Sequence, residues 1–161
     1  MIITYMHHAD RDMSKGRSQD NPITKLGIKE ASAIGEIIST KKTDITCIYT
    51  GDYIRYRQTN ELINKFVQAP IIVDSRLNEI DCNGKEYERR LHEFLRDIIA
   101  KHNNDDMIVC MTSGVALGCF MSFFFKEPIK GFEYAQGATV SPVLFGYDKD
   151  QKRPFMNNWK N

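Results

Sequence analysis

Residues 107–111 read Met-Ile-Val-Cys-Met, five apolar side chains in a row with no polar alternation. A strand of that composition must be covered on both faces, and helices are what cover both faces of a sheet. The run therefore points to a parallel sheet between helical layers. Helical patterns flank it on either side. From Lys85 to His102, Leu91, Phe94, Leu95, Ile98 and Ile99 trace one apolar stripe. Gly114 to Phe125 is rich in small and apolar residues, as suits a helix packed closely on that sheet.

The rest of the chain repeats the alternation. Ile2–Met6, Ile45–Tyr49 and Pro70–Val73 are short β-rich runs, and Thr139–Tyr147 suggests a late strand in which Pro142 marks an edge or a bulge. Between them, Thr24 is a good N-cap for a helix carrying Ile28, Ala31, Ile34 and Ile38 at helical spacing. Asp52–Phe66 reads as a second helix, with Ile54, Leu62, Ile63 and Phe66 on its apolar side. Strand–helix alternation of this kind predicts an α/β fold, a three-layer sandwich around a mainly parallel sheet. With no linker, repeat or low-complexity tract, residues 1–161 are expected to form a single domain.

Charge and cysteines exclude several classes. The 22 basic and 21 acidic residues leave a formal charge of +1, so no global field draws the chain to nucleic acid. Cys47, Cys82, Cys110 and Cys119 show no C-x-x-C pairing, and three of them lie in apolar runs where cysteine behaves as a small hydrophobe. The N-terminus lacks the pattern of a signal peptide, and the apolar stretch Val115–Phe125 is too short to span a bilayer. A cytoplasmic protein that makes no use of membranes is expected.

In such a sheet, ligands bind beyond the carboxyl ends of the strands. The segments after Met6, Tyr49, Val73 and Met111 should converge, and they read HHAD, TGDYIRYRQT, DSRLNEID and TSGV. That places His8, Arg55, Glu79 and Thr112 near one mouth. Singly, each residue has a plain reading. The His7–His8 pair could be idle loop histidines, metal ligands together with Asp10, or a nucleophile with its neighbour. Arg55 and Arg57 begin a helix, where an anion is favoured, but both could be solvated. Glu79, between Leu77 and Ile80, could be a partly desolvated proton donor or a surface residue.

Taken together, the segments resemble the histidine phosphatase (phosphoglycerate mutase-like) superfamily. The strand followed by HHAD resembles its R-H-G or R-H-A signature. Asp20 to Gly27 resembles D-x-P-L-T-x-x-G, and Ile48 to Thr59 (IYTGDYIRYRQT) resembles I-Y-S-S-P-L-x-R-A-x-Q-T. Leu77-Asn78-Glu79 matches L-x-E, and Val109 to Val115 resembles V-V-S-H-G-G-V, while Gly137 to Val140 resembles the penultimate strand region. The resemblance covers about residues 2 to 145. It implies a phosphohistidine on His8, with Glu79 as the acid for the leaving oxygen and Arg55 as a phosphate clamp. His7, Thr112 and Ser113 then line the phosphate position. No cofactor is implied.

Two positions depart from the pattern. The arginine before the nucleophile is His7, and the second histidine falls on Thr112. Pre-organised donors aimed at developing charge are worth roughly 3 to 4 kcal/mol each, so lacking both lowers expected turnover by about 10⁴-fold. Arg11 or Arg57 could supply a substitute cation. The resemblance thus implies either a phosphatase of reduced activity on a phosphorylated small molecule or phosphoprotein, or an inactive relative that binds one. Only about 28 residues separate Glu79 from Met107, leaving no room for the long cap that mutases and sugar phosphatases of the family insert. Asp148-Lys149-Asp150 suggests an aspartate-based phosphatase, but Lys152 stands where that motif wants a hydroxyl or valine, so a polar hairpin turn is expected instead.

Overall fold

The computed structural model describes residues 1–16, 21–41, 44–79, 84–126, 142–148 and 150–156. Within them, the unbroken apolar runs lie where they can be covered twice. β1 (Ile2–His7) and β4 (Met107–Thr112) run parallel at the centre of the sheet, pairing from Ile2 with Met107 to His7 with Thr112. β2 (Cys47–Thr50) adds in parallel to the far side of β4, and β3 (Ile71–Val73) adds to β2. β5 (Pro142–Asp148) and β6 (Arg153–Met156) extend the sheet beyond β1 as an antiparallel hairpin. The strand order is β3-β2-β4-β1-β5-β6.

Because side chains alternate along a strand, each strand feeds two cores. On one face, α1 (Lys25–Thr40) and α2 (Ile54–Val67) pack Ala31, Ile38 and Ile63 against Met6, Ile48, Val109 and Met111. On the other, α3 (Gly84–Lys101) and α4 (Gly114–Phe125) pack Leu91, Phe94, Leu95 and Phe120 against Ile3, Tyr5, Tyr49 and Cys110. Leu91, Phe94 and Leu95 are fully buried. Truncating one of them to alanine costs about 2 to 5 kcal/mol. The expected three-layer sandwich is what forms. No described helix is long and apolar enough to cross a membrane.

The topology opens a crevice at one place. β1 passes the chain to α1 on one face, while its neighbour β4 passes it to α4 on the other. The two loops diverge, leaving a gap at the carboxyl ends of these strands.

Several boundaries differ from the sequence reading, each for a physical reason. α2 does not bury the apolar side expected of it: only Ile63 of the four is buried, and Phe66 is exposed. The helix instead turns Arg55, Tyr56, Thr59 and Asn60 inward, where Thr59 meets the Ala9 N–H and Arg55 meets Tyr56 and Glu79. Pro142 pairs with Met6 on one side only, since the described pairing with β6 begins at Phe145. It opens β5 at the first position, where a missing N–H disturbs a ladder least. β6 was not anticipated at all. The turn before it holds the anticipated polar hairpin, with the Asp148 carboxylate accepting from the N–H groups of Asp150 at 2.9 Å and Gln151 at 3.1 Å. Cys47, Cys110 and Cys119 are buried free thiols. Asp20, Cys82 and Gly137 to Val140 lie outside the described residues.

Candidate active site

The loop that follows β1 is held from both sides. The His8 N–H donates to the Thr112 carbonyl at 3.1 Å, extending the β1–β4 ladder by one rung. Asp10 then fastens the loop to the start of α1. Its carboxylate accepts the Thr24 hydroxyl at 2.6 Å and its carbonyl accepts the Thr24 N–H at 2.9 Å, while Thr24 caps the helix through the Gly27 N–H. The approach is close enough to require glycine: a Cβ on Gly27 would stand 2.3 Å from the Asp10 carbonyl oxygen. The Ala9 N–H reaches across to the Thr59 hydroxyl at 3.1 Å. Asp10 is thus committed to the helix cap and does not join the two histidines as a ligand set.

These restraints fix the protonation of the imidazoles. His8 Nδ1 lies 2.8 Å from the Ala9 carbonyl oxygen, and His7 Nδ1 lies 2.5 Å from that of His8. A carbonyl only accepts, so each Nδ1 carries the proton and each Nε2 keeps its lone pair. Burial pushes the His8 pKa well below its ordinary value, with His7, Arg55 and Arg11 adding to the effect against the Ala9 carbonyl. Burial also lowers His7, although its hydrogen bond to His8 and the Glu79 carboxylate oppose this. Both rings are therefore neutral at neutral pH, their centres 4.2 Å apart and their planes tilted by 36°. His8 is only 5% exposed.

Arg55 and Glu79 come from the ends of β2 and β3. Arg55 sits in the first turn of α2, its Nη2 3.7 Å from Glu79 Oε2. The guanidinium is 2% exposed and the carboxyl 32%, so the pair spans the wall of the site from interior to surface. Two tyrosines enclose the arginine, with its guanidinium carbon 4.5 Å from the Tyr53 ring centre and 4.6 Å from that of Tyr56. Glu79 is held through its backbone. The Tyr53 hydroxyl donates to its carbonyl at 2.6 Å, and Arg90 donates to the carbonyl of Asn78 at 2.6 Å. The Asn78 amide pairs with Asp52 and comes so near Gly51 that a Cβ there would stand 2.3 Å from Asn78 Oδ1.

The end of β4 is built differently. The Thr112 hydroxyl donates to the Leu77 carbonyl at 2.7 Å and accepts from the Tyr87 hydroxyl at 3.4 Å, and the residue is fully buried. Ser113 is likewise buried, its carbonyl accepting from Tyr5 at 2.9 Å, at the N-cap of α4. The N-termini of α2 and α4 both start at this end of the sheet, where their dipoles favour an anion.

The structure thus brings His7, His8, Arg55, Glu79, Thr112 and Ser113 to one mouth. Of the two substitute cations, Arg11 lies close enough to shift both imidazoles, whereas Arg57 is exposed. Sequence reasoning missed Tyr53, Tyr56, Thr59, Asn60 and Tyr87. One signal was there: Arg55, Tyr56, Thr59, Asn60 and Ile63 fall at i, i+1, i+4, i+5 and i+8, a single helical face that is mostly polar.

The model of the histidine phosphatase superfamily (branch 1) matches residues 6–88, just over half of the chain. No curated protein matches it in sequence. Among solved structures, YhfR of Bacillus stearothermophilus superposes with a TM-score of 0.81 at 18% identity, over 99% of this chain and 96% of its own. The mycobacterial glucosyl-3-phosphoglycerate phosphatase complexed with VO3 gives 0.77 at 15%, over 98% of both chains. The protein histidine phosphatase SixA complexed with tungstate gives 0.73 at 15%, over 98% of this chain and 95% of its own. These likenesses establish the fold. The family match begins at the end of β1 and runs through the loop of His8, then Arg55 and Glu79, and it makes the chain a member of the histidine phosphatase superfamily, branch 1.

Proposed function

We propose that the protein is a phosphatase that hydrolyses a phosphomonoester or phosphoprotein through a phosphohistidine on His8, in one domain and at reduced turnover. One observation carries the reading: the His8 Nδ1–H is spent on the Ala9 carbonyl at 2.8 Å, leaving a neutral imidazole with its lone pair on Nε2 beside Arg55. Nε2 attacks phosphorus, and the bond from phosphorus to the ester oxygen breaks. The Glu79 carboxyl protonates that oxygen as it leaves. Glu79, now a carboxylate, takes a proton from water, and the resulting hydroxide displaces phosphate from Nε2. His8 and the protonated Glu79 are thereby restored. Arg55 and the starts of α2 and α4 stabilise the charge on the transferring group. His7 and Thr112 supply no cation, which is why turnover is reduced. The three buried free thiols suit a reducing, cytoplasmic setting.

The test is acid-quench trapping of a phosphoenzyme from a generic aryl phosphate, with hydrolysis followed in parallel. Wild type is expected to give a label that His8→Ala lacks; equal hydrolysis by both proteins would end the claim.

The commitment of Thr112 to Leu77 and Tyr87 favours a second reading, in which the site binds a phosphorylated ligand or protein partner without turning it over. Tight anion binding with no phosphoenzyme would select it.

A further inference from the structure

Tyr56 stands in the middle of the site without a role in the reaction above. It is fully buried, its ring centre lies 5.6 Å from that of His8, and its hydroxyl accepts a hydrogen bond from Arg55 Nη2 at 3.3 Å. Its ring also stacks on Tyr53 at 5.4 Å, so the two tyrosines and the guanidinium form one packed unit. The Glu79 peptide and the Ser113 side chain both lie close enough to act on the phenol, and burial keeps it protonated. A neutral oxygen that accepts from Arg55, next to the imidazole and between the Glu79 and Ser113 loops, already occupies one donor direction of the guanidinium. The motif that the segment resembles has alanine at this position, a side chain too short to reach the guanidinium.

We propose that Tyr56 is an internal ligand of Arg55: its hydroxyl holds a phosphoryl-oxygen position, so an anion binds only by displacing it, and this competition sets the affinity of the site. The proposal rests on the reading of the site as one that takes phosphoryl groups. It accounts for an anion clamp that is 2% exposed in a site whose nucleophile is 5% exposed. Tyr56 is a positioning residue acting through Arg55, and three roles for it separate cleanly. A packing role predicts that Tyr56→Phe leaves anion affinity unchanged, since the ring remains. A donor role predicts weaker binding. An internal ligand predicts tighter binding.

Calorimetric titration of wild type and Tyr56→Phe with orthovanadate, and separately with inorganic phosphate, decides among them. Roughly tenfold tighter binding of both anions by Tyr56→Phe is expected, the worth of one hydrogen bond to a charged group. Equal or weaker binding overturns the proposal and leaves the phosphoryl site standing. Binding by neither folded protein overturns both. Should Tyr56→Phe fail to fold, the near-ultraviolet tyrosine spectrum of wild type under saturating inorganic phosphate gives the answer. Displacement of the phenol must perturb it, and an unchanged spectrum sinks the proposal.

Discussion

The carboxyl ends of β1 and β4 lie side by side and have been put to different uses. At the end of β1, two imidazoles donate their protons to backbone carbonyls and keep a lone pair each. At the end of β4, the Thr112 hydroxyl makes two hydrogen bonds within the protein and has no exposed surface. The first arrangement leaves reactive atoms over; the second uses its atoms to tie β4 to Leu77 and Tyr87. Half of the crevice therefore keeps imidazole lone pairs and half serves as scaffold. Inherited position alone does not tell which residues act.

The widest test of that contrast removes the reactive end. His8→Ala should lower aryl phosphate hydrolysis by about 10³-fold or more, read from initial rates, because a nucleophile has no partial substitute. Converting the scaffold end should move activity the other way. His7→Arg combined with Thr112→His adds a guanidinium and an imidazole donor toward the phosphate position and should raise kcat by about 10²-fold. No gain would mean that the missing charges do not limit the rate. The scaffold role itself is open to measurement by thermal or urea unfolding. Thr112→Val removes the hydroxyl that bonds the buried Leu77 carbonyl and Tyr87, and should cost about 2 kcal/mol. A loss of rate larger than this loss of stability would return Thr112 to the binding surface.

The smallest effect is in pH. The His8 pKa is lowered in the fold by burial first, so between its ordinary value of 6.5 and its folded value the unfolded chain binds a proton that the native protein does not. Stability must then rise with pH through that window and fall on acidification, by about 1.4 kcal/mol per pH unit for one such histidine. Above pH 6.5 the term vanishes. His7 adds a weaker term of the same sign, and Arg55 and Arg11 push in this direction while Glu79 pushes His7 against it. Urea denaturation between pH 5 and 7 on wild type and His8→Gln checks the sign; a variant with the same slope as wild type would refute it.

How much was legible differs from element to element. α3 could be read because its stripe of Leu91, Phe94, Leu95 and Ile98 packs on a sheet and nothing else competes for it. α2 misled because hydrophobicity was the signal used. Its inward face is Arg55, Tyr56, Thr59 and Asn60, and several of its polar groups meet partners there, as when Thr59 accepts from Ala9 and donates to Arg55. No rule of periodicity weighs a hydrogen bond whose partner lies 50 residues away.

Sequence alone determined the layered α/β fold, since an unbroken apolar strand has to be covered on two sides. It also determined that His8, Arg55 and Glu79 meet, because each follows a parallel strand and parallel strands end together. Tertiary structure decided what each of these groups can do. Whether Thr112 faces a ligand or Leu77, whether Arg55 is bare or lodged between tyrosines, and which imidazole nitrogen keeps its lone pair depend on hydrogen bonds between distant segments. The strength of such bonds is set by ångström-scale distances and by burial, neither of which is written in any one stretch of chain.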